Sequence, residues 1–339
     1  MKKIAKKVLI PVLNRATYGR LKSVLKAINE HPDLELQVVM GASLFDMQIE
    51  YPVLHRVQCM VDGDNSAAMS LTTSMWIAQL ANVVENLKPN IIYIHGDRYE
   101  TLGTALTSVY QNTILAHGEG GDISGTVDER IRHSVTKLAD IHFPVTELSR
   151  ERIIKMGADP DKVFVVGSTA LDTLVDLDLT NNRTEPYILI LHHPNTTHPE
   201  DITPLIEAVN SIPIHKVWLN PNVDAGSKSI LKQIHRLNVE FVKNLPVEEY
   251  VRLLKNCQCA VGNSSSFIKE GAFLSVPAVL VGRRQEGREV GNNIIFADYD
   301  KDMIVNAIKH QMGRRLKPTP RFGDGTAGKQ IANILAVIE

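Results

Sequence analysis

Short apolar runs alternate with amphipathic stretches along the 339 residues of this chain, and this alternation limits the folds that it can adopt. Six apolar runs in the first half are predicted strands: Val8–Leu13, Leu36–Met40, Ile91–His95, Ile114–His117, Ile141–Val145 and Val163–Val166. Three stretches with a helical period lie among these runs: Ser66–Leu87, Thr101–Tyr110 and Glu129–Ala139. Such an alternation predicts a parallel sheet that is covered by helices on both faces.

The alternation stops once, at the polar stretch Asp176–Pro186, and then resumes. Five further runs are predicted strands: Tyr187–His192, Val217–Asn220, Val239–Lys243, Cys259–Gly262 and Ala278–Val281. A polar break of this kind is typical of a linker between domains. We therefore predict an α/β protein with two Rossmann-like, doubly wound domains facing a cleft, residues 1–176 and 186–317. A last helix is predicted at Gln330–Ile338, within a C-terminal segment of residues 318–339.

Composition argues against several classes of function. The formal net charge is −1, so no global positive field attracts nucleic acid or an anionic membrane. No apolar run is long enough to span a bilayer, and the basic, then apolar N-terminus lacks a cleavage site of small residues. The cysteines, Cys59, Cys257 and Cys259, match no common zinc spacing and indicate reduced thiols. We expect a cytoplasmic protein that binds neither nucleic acid nor membrane.

Polar clusters directly follow several predicted strands, at the positions where parallel sheets bind ligands. Arg15 follows the first strand, where it either offers a planar donor fork to phosphate or is a surface residue near a turn. Asp97 follows the strand at Ile91–His95, where it either points into the cleft or caps the next helix. These two positions alone do not decide between a functional and a structural role.

The run HGEGGDISGTVDE at 117–129 is the most unusual stretch, because it combines four glycines with four carboxylates. Glu119 comes directly after an apolar strand, and Asp128 lies beside a predicted helix N-terminus. Thr126 and Glu129 have the spacing of a capping box, which gives Glu129 a structural role. A solvated loop is the alternative, but carboxylates at several strand ends converge on one cleft, so we interpret these acids as functional.

In the second half, His192 and His193 follow the strand at Tyr187–Leu191, and Pro194 constrains the exit. One of the two histidines is held at the cleft, unless both are satisfied core residues. Asn222 lies in a polar segment after the next strand, so it adds an amide to the same edge of the sheet.

The run Gly262–Ser266 leads from a strand into a helix. The hydroxyls of Ser264 and Ser265 and the free N–H groups of a helix start suit a phosphate, although plain serine capping is equally consistent. Glu270, six residues after Ser264, could accept both hydroxyls of a ribose. Arg284 would add positive charge nearby.

Three widespread signatures are missing from the sequence. No G-x-G-x-x-G follows a strand, so nicotinamide binding lacks its motif. The chain also has no P-loop and no G-x-S-x-G nucleophile elbow.

Taken together and in order, the clusters resemble the hydrolysing UDP-N-acetylglucosamine 2-epimerases of sialic-acid synthesis. The matching stretches are NRATYGRL, KPNIIYIHGDRYETL, EGGDISGTVDERIRHSVTKLADIHF, HHPNTT, NPNVDAGSK, VGNSSSFIKEGAF, GRRQEGREVGNN and FGDGTA, over nearly the full length. The resemblance implies a glycosyltransferase-B-like fold, in which residues 318–339 pack back on the first domain, and a UDP-sugar substrate. It also implies N-acetylmannosamine as the product, for capsule or lipopolysaccharide sugars.

Site residues follow from the same resemblance, motif by motif. The catalytic residues that it implies are Asp97, Glu119, Asp128 and His193. The UDP-binding residues that it implies are Arg15, Asn222, Ser264, Ser265, Glu270 and Arg284. In this chemistry UDP leaves C1, one carboxylate removes the C2 proton, and a second protonates C2 from the opposite face while water adds at C1. We expect no cofactor, since the reaction has no redox step, and no obligatory metal, since Arg15, His193 and Arg284 can meet the diphosphate charge.

Alternatives remain within and beyond this reaction. A sister branch acts on a UDP-2,4-diacetamido-2,4,6-trideoxyhexose in legionaminic acid synthesis, with almost the same motifs. A glycosyltransferase of the same fold would need an acceptor surface but no pair of acids, and a nucleotide-sugar sensor would lack the acids. We also expect a homo-oligomer, either a dimer or a tetramer.

Overall fold

The computed structural model describes residues 4–62, 66–124, 127–194, 200–221, 227–234, 237, 239–243, 245–314 and 316–338. The chain forms two compact units, Met1–Thr173 with Gly323–Glu339, and Leu174–Phe322. Within the described ranges, no helix combines the length and the apolar character that crossing a membrane requires.

The first unit is a six-stranded parallel sheet with the strand order β3-β2-β1-β4-β5-β6. Its strands are β1 (Lys6–Val12), β2 (Leu34–Gly41), β3 (Val53–Val57), β4 (Ile91–His95), β5 (Ile114–Gly118) and β6 (Ile141–Phe143). Its helices are α1 (Arg15–Glu30), α2 (Ser66–Leu87), α3 (Tyr99–Tyr110), α4 (Val127–Leu138), α5 (Glu147–Lys155) and α6 (Thr169–Asp172). β4 is buried at every position, so the residues that follow it leave a fixed sheet.

The second unit repeats this architecture with the strand order β12-β11-β10-β7-β8-β9, again all parallel. Its strands are β7 (Tyr187–Leu191), β8 (His215–Leu219), β9 (Glu240–Val242), β10 (Cys259–Gly262), β11 (Ala278–Val281) and β12 (Ile294–Ala297). Its helices are α7 (Thr203–Ser211), α8 (Ser227–Ile234), α9 (Val247–Asn256), α10 (Lys269–Phe273) and α11 (Lys301–Gln311). Both sheets reverse their strand order near the middle, which is where ligands bind in doubly wound folds.

The last helix, α12 (Ala327–Val337), belongs to the first unit and packs on α1. The approach is close, because a Cβ at Gly328 would lie 2.7 Å from the Ser23 backbone. The Asp172 carboxylate accepts hydrogen bonds from the backbone N–H groups of Ala327, at 3.0 Å, and Gly328, at 2.6 Å. The acidic side chain thus satisfies two of the N–H groups that a helix start leaves without partners.

The predicted fold class of two doubly wound α/β units is confirmed, with corrections at the edges of the sheets. The strand predicted at Val163–Val166 is wrong, because this segment has an isolated bridge, between His142 and Val163, and does not form a continuous strand. The sequence patterns missed β3 and β12, which end their sheets. In β3, His55 and Arg56 interrupt the apolar residues, so this strand lacks the continuous apolar run that marks a buried strand. β12 is apolar at all four positions, so its omission has no such explanation.

Candidate active site

Asp97 lies just beyond β4, after a turn at Gly96 with φ of 82°. The N-cap of α3 is Arg98, without a side-chain capping bond, so the alternative of Asp97 as the cap is wrong. Instead, the Asp97 carboxylate accepts a hydrogen bond from Nη2 of Arg132 on α4. Arg132 is only 4% exposed, so this ion pair holds a buried guanidinium against a partly exposed carboxylate.

Arg132 also fixes the glycine-rich loop that precedes α4. Its Nη1 donates to the Asp122 carbonyl oxygen at 2.8 Å and lies 3.4 Å from the Ser124 hydroxyl. A buried charge is stable only when it is paired and hydrogen-bonded, and these contacts meet both conditions. One side chain therefore sets the distance between the loop and Asp97.

Glu119 is the first residue after β5, and its backbone adopts a φ of 61°, which is uncommon for a residue with a Cβ. Its N–H donates to the Phe143 carbonyl oxygen at 2.9 Å, which fixes this conformation against β6. The backbone conformation turns the side chain of Glu119 out of the strand alternation. A left-handed backbone held in this way points to a functional constraint on the residue.

The Glu119 carboxylate is buried among polar groups from three parts of the first unit. Ser168 donates to Oε1 at 2.6 Å, and Arg20 on α1 donates to Oε2 at 3.3 Å. Nε2 of His95 lies 3.7 Å from Oε2, and the hydroxyl of Tyr93 contacts Nδ1 of the same ring at 3.3 Å. Asp97 and Glu119 thus follow neighbouring strands, but each is held by different partners.

Asp128 is partly exposed in the first turn of α4, one helical turn before Arg132. A helix start favours a carboxylate there. The predicted partner of Glu129 in a capping box, Thr126, lies outside the described residues, and Oε2 of Glu129 accepts from the Ser124 N–H at 2.6 Å. α4 therefore connects the region of Asp128 to Asp97 through Arg132.

His117 on β5 is a structural residue. Its Nε2 lies 2.9 Å from the Gly96 carbonyl oxygen, and its Nδ1 lies 3.3 Å from the Thr136 hydroxyl. The pKa of His117 is lowered to about 3, and burial is the largest cause of this shift. The ring is therefore neutral, and its contact with the Gly96 carbonyl oxygen stabilises the turn.

Arg15 is exposed as the first residue of α1, directly after β1. The preceding residue, Asn14, is the N-cap, and its Oδ1 accepts from the Thr17 N–H at 2.9 Å. Arg15 therefore lies at the same edge of the first sheet as Asp97 and Glu119.

In the second unit, Asn263 holds the backbone of His193. Its Oδ1 accepts from the His193 N–H at 2.7 Å, and its Nδ2 donates to the His193 carbonyl oxygen at 2.8 Å. Burial, followed by the positive charge of Arg284, lowers the pKa of His193 to about 4. His193 is therefore neutral at pH 7 and can donate a hydrogen bond to an anion without contributing charge. The expectation from the sequence that His193 acts as a cation toward the diphosphate is thus not supported.

Ser264 caps a short 3-10 turn at Ser265–Phe267, since its hydroxyl accepts from the Ser266 N–H at 3.4 Å. The contacts of Ser264 in the structure are therefore those of a helix cap, the alternative to phosphate binding that the sequence left open. The Ser264 and Ser266 hydroxyls are 2.8 Å apart, and Ser266 also contacts the hydroxyl of Tyr250. This chain of hydroxyls lies at the carboxyl end of β10.

Glu270 and Arg284 lie near the same turn. Burial, with the charge of Glu270 as the next cause, raises the pKa of Tyr250. Nη1 of Arg284 donates to the Asn263 carbonyl oxygen at 3.1 Å, and Nε2 of Gln285 donates to the same oxygen at 2.9 Å. The structure therefore gathers His193, the serine turn and Arg284 around Asn263, whereas Asn222 lies outside the described residues.

Several residues that organise these sites were missed by the sequence patterns. Arg132 lies next to Ile131 at the border of the apolar face of α4, so the helical period gave little indication that it is buried. Ser168 follows the segment wrongly predicted as a strand, so the search for polar residues at strand ends could have found it. Arg20 had no such signal, because its contact with Glu119 depends on how α1 crosses the sheet.

Two doubly wound units with polar clusters at the carboxyl ends of their strands define the class of protein as a Rossmann-like α/β protein with the strand ends of a ligand-binding fold. The model of the UDP-N-acetylglucosamine 2-epimerase family matches residues 26–336. The chain therefore belongs to this family.

Individual relatives agree with this assignment. The chain is 31% identical to a UDP-N-acetylglucosamine 2-epimerase of Neisseria meningitidis, over 90% of this chain and 87% of that protein. It is 27% identical to the UDP-N,N'-diacetylbacillosamine 2-epimerase (hydrolyzing) of Legionella pneumophila, over 98% and 96%. The crystal structure of UDP-N-acetylglucosamine 2-epimerase from Neisseria meningitidis bound to UDP-GlcNAc shares the fold, with a TM-score of 0.81, 19% identity and coverage of 97% and 99%.

Proposed function

We propose that this protein is a hydrolysing 2-epimerase, which converts UDP-N-acetylglucosamine and water to UDP and N-acetylmannosamine. The observation that carries the proposal is the pair of carboxylates, Asp97 and Glu119, held on neighbouring strand ends by different partners. Inversion at C2 needs two positioned acid–base groups on opposite faces of the sugar. Membership of the epimerase family supports the same reaction.

The reaction begins with the departure of UDP, because the C2 proton of a sugar is too weakly acidic for a base alone. Loss of the C1–O bond creates oxocarbenium character, which acidifies C2–H. One carboxylate takes this proton and leaves a 2-acetamidoglycal. A second carboxylic acid then protonates C2 from the other face, while water adds at C1 and releases the free sugar. Asp97, Glu119 and Asp128 are the residues that we propose for these transfers.

The second unit would hold UDP at the turn after β10. The N–H groups and hydroxyls of Ser264 and Ser265 can donate to phosphate oxygens, and Arg284 supplies positive charge that stabilises the departing diphosphate. The neutral ring of His193 adds a hydrogen bond. Glu270 would accept from the ribose hydroxyls.

We expect Glu270→Ala to weaken UDP binding by about 1.5–3 kcal/mol, the usual contribution of hydrogen bonds to a charged group. Isothermal titration calorimetry with UDP measures this loss directly. Glu207→Ala is the matched control, because Glu207 is an exposed acid on α7, and it should leave the affinity unchanged. Equal affinities for UDP in the two variants would remove Glu270 from the site.

A second candidate substrate is a UDP-2,4-diacetamido-2,4,6-trideoxyhexose. The Legionella pneumophila relative, whose name is UDP-N,N'-diacetylbacillosamine 2-epimerase (hydrolyzing), matches this chain over nearly its full length and favours that substrate. The two sugars differ at C4 and C6, whereas the proposed chemistry occurs at C1 and C2. The same carboxylates therefore serve either substrate.

Incubation with each UDP sugar in deuterated water, followed by NMR of the products, tests the reaction and the substrate together. We expect UDP and a free 2-acetamido sugar of inverted C2 configuration that carries deuterium at C2. A UDP-linked epimer without release of UDP would show a non-hydrolysing epimerase. A product that retains its original hydrogen at C2 would contradict the proposed proton transfers.

A further inference from the structure

Ser168 is the N-cap residue of α6, yet its hydroxyl makes no capping bond to that helix. A serine at an N-cap usually accepts a hydrogen bond from the first turn. Here the hydroxyl instead donates to Oε1 of Glu119 at 2.6 Å, and Ser168 is only 1% exposed. A short hydrogen bond to a carboxylate in a buried site is among the stronger neutral-to-ion contacts that a protein makes.

The backbone beneath Ser168 is held from behind. Gly167 has a φ of 84°, and Gly323, where the chain returns to the first unit, packs directly on it. A Cβ at Gly323 would lie 2.9 Å from the Gly167 Cα and 3.2 Å from the Ser168 nitrogen. The other end of α6 is bound to α12 through Asp172. The hydroxyl of Ser168 is therefore presented to Glu119 from a segment with little room to move.

The other groups that face the Glu119 carboxylate come from α1 and β4. Arg20 donates to Oε2 at 3.3 Å but is nearly half exposed, and His95 lies 3.7 Å from the same oxygen. The hydroxyl of Tyr93 contacts Nδ1 of His95, on the other side of the ring from Glu119. Ser168 is thus the buried donor on Oε1, whereas Oε2 faces the two basic groups.

We propose that Ser168 is a positioning residue for Glu119, which orients the carboxylate through Oε1 and stabilises its charged form. The inference rests on the proposed function, in which Glu119 transfers a proton at C2. With Oε1 bound to Ser168, the carboxylate is held with Oε2 beside Arg20 and His95. The segment that returns at Gly323 supports this arrangement by fixing the backbone of Gly167 and Ser168.

Ser168→Ala removes the hydroxyl without adding bulk, and Ser108→Ala is its matched control. Ser108 is also fully buried and donates a hydrogen bond of the same length, 2.6 Å, but to the Thr113 carbonyl oxygen at the start of β5. We expect Ser168→Ala to lower kcat at least about tenfold, the scale of a hydrogen bond to a charged group, with unchanged affinity for UDP. Both variants lose a buried hydrogen bond, so both should lower the Tm to a similar degree. Only Ser168→Ala should also lower kcat, and Ser108→Ala should leave it unchanged.

The pH profile of kcat/KM separates positioning from a general structural effect. A donor to a carboxylate favours the charged form, so its loss raises the pKa of that carboxyl. In Ser168→Ala one limb of the profile should therefore move to higher pH by about one unit, whether Glu119 acts as the base or as the acid. The profile of Ser108→Ala should match that of the wild type.

A double-mutant cycle tests whether Ser168 acts through Glu119. In a Glu119→Gln background the carboxylate is absent, so adding Ser168→Ala should change the residual rate by less than about twofold. Full additivity of the two losses would overturn the inference, as would a kcat and a pH profile of Ser168→Ala equal to those of Ser108→Ala. If Glu119→Gln alone retains normal turnover, the proposed role of Glu119 fails instead, and the two failures are thereby distinguished.

Discussion

Glu119→Gln is expected to lower kcat roughly a hundredfold or more, the usual scale of general acid–base catalysis, while UDP affinity stays within about twofold of the wild type. The amide preserves the shape of the side chain but has no titrating group that could act as a general acid or base. UDP affinity is spared because the proposed nucleotide site lies in the second unit. Steady-state kinetics and calorimetry with UDP measure the two quantities.

Asp97→Asn should also lower kcat to this extent, but with an additional loss of stability. The amide leaves the buried guanidinium of Arg132 without its charge partner, and breaking a buried ion pair from one side is costly. A lower Tm for Asp97→Asn than for Glu119→Gln is therefore part of the expectation.

Glu147→Gln serves as the control for these amide variants, since Glu147 is an exposed acid in the first turn of α5. It should match the wild type in both kcat and Tm. Normal turnover by Glu119→Gln and Asp97→Asn would mean that these carboxylates are loop residues without a catalytic role.

Gly262→Ala is expected to destabilise the second unit by about 3 kcal/mol or more, because it combines backbone strain with a severe clash. Gly262 ends β10 with a φ of 139°, a conformation that residues with a Cβ rarely adopt. A Cβ there would lie 2.1 Å from the Leu191 carbonyl oxygen on the neighbouring strand β7. Relief of this clash would push apart the strands that lead to His193 and Ser264, so UDP binding should be lost as well.

Chemical denaturation with and without UDP measures this effect. Gly19→Ala is an informative control, because Gly19 lies within α1 and a Cβ there would have no atom within 4 Å. Alanine favours helix over glycine, so this variant should be more stable by about 0.5–1 kcal/mol. A Gly262→Ala protein with wild-type stability and UDP affinity would contradict the close strand packing at this position.

Much of the fold follows from local patterns in the chain. β4 at Ile91–His95, β10 at Cys259–Gly262, β11 at Ala278–Val281 and the helix at Ser66–Leu87 have the predicted bounds. These elements are buried strands or a long amphipathic helix. In such elements the spacing of the apolar residues follows from the geometry of the strand or helix alone, so it can be recognised in the sequence. The edge strand β3 escaped prediction because His55 and Arg56 interrupt its apolar residues, which an edge position with partly exposed faces allows. β12 is apolar throughout, so its omission has no reason in the local pattern.

The positions of the candidate acids could be predicted from the sequence for a related reason. Parallel strands all end at one edge of their sheet, so Asp97 and Glu119 could be placed near each other before any contact was known. Their individual roles in turn depend on partners that no local pattern contains. The capping alternative for Asp97, for example, was excluded only when α3 proved to begin at Tyr99 with Arg98 as its cap.

By itself, the sequence determined the two doubly wound units, the strand ends that carry polar side chains, and, through its ordered motifs, the family. Only the tertiary structure decided which group holds each acid: Ser168 for Glu119, 49 residues away along the chain, and Arg132 for Asp97, 35 residues away. These pairs depend on the left-handed backbone of Glu119, on the rotation of α4 about its axis and on the return of the chain at Gly323. Such contacts arise from the packing of segments that are distant in the sequence, so the spacing of apolar residues does not predict them.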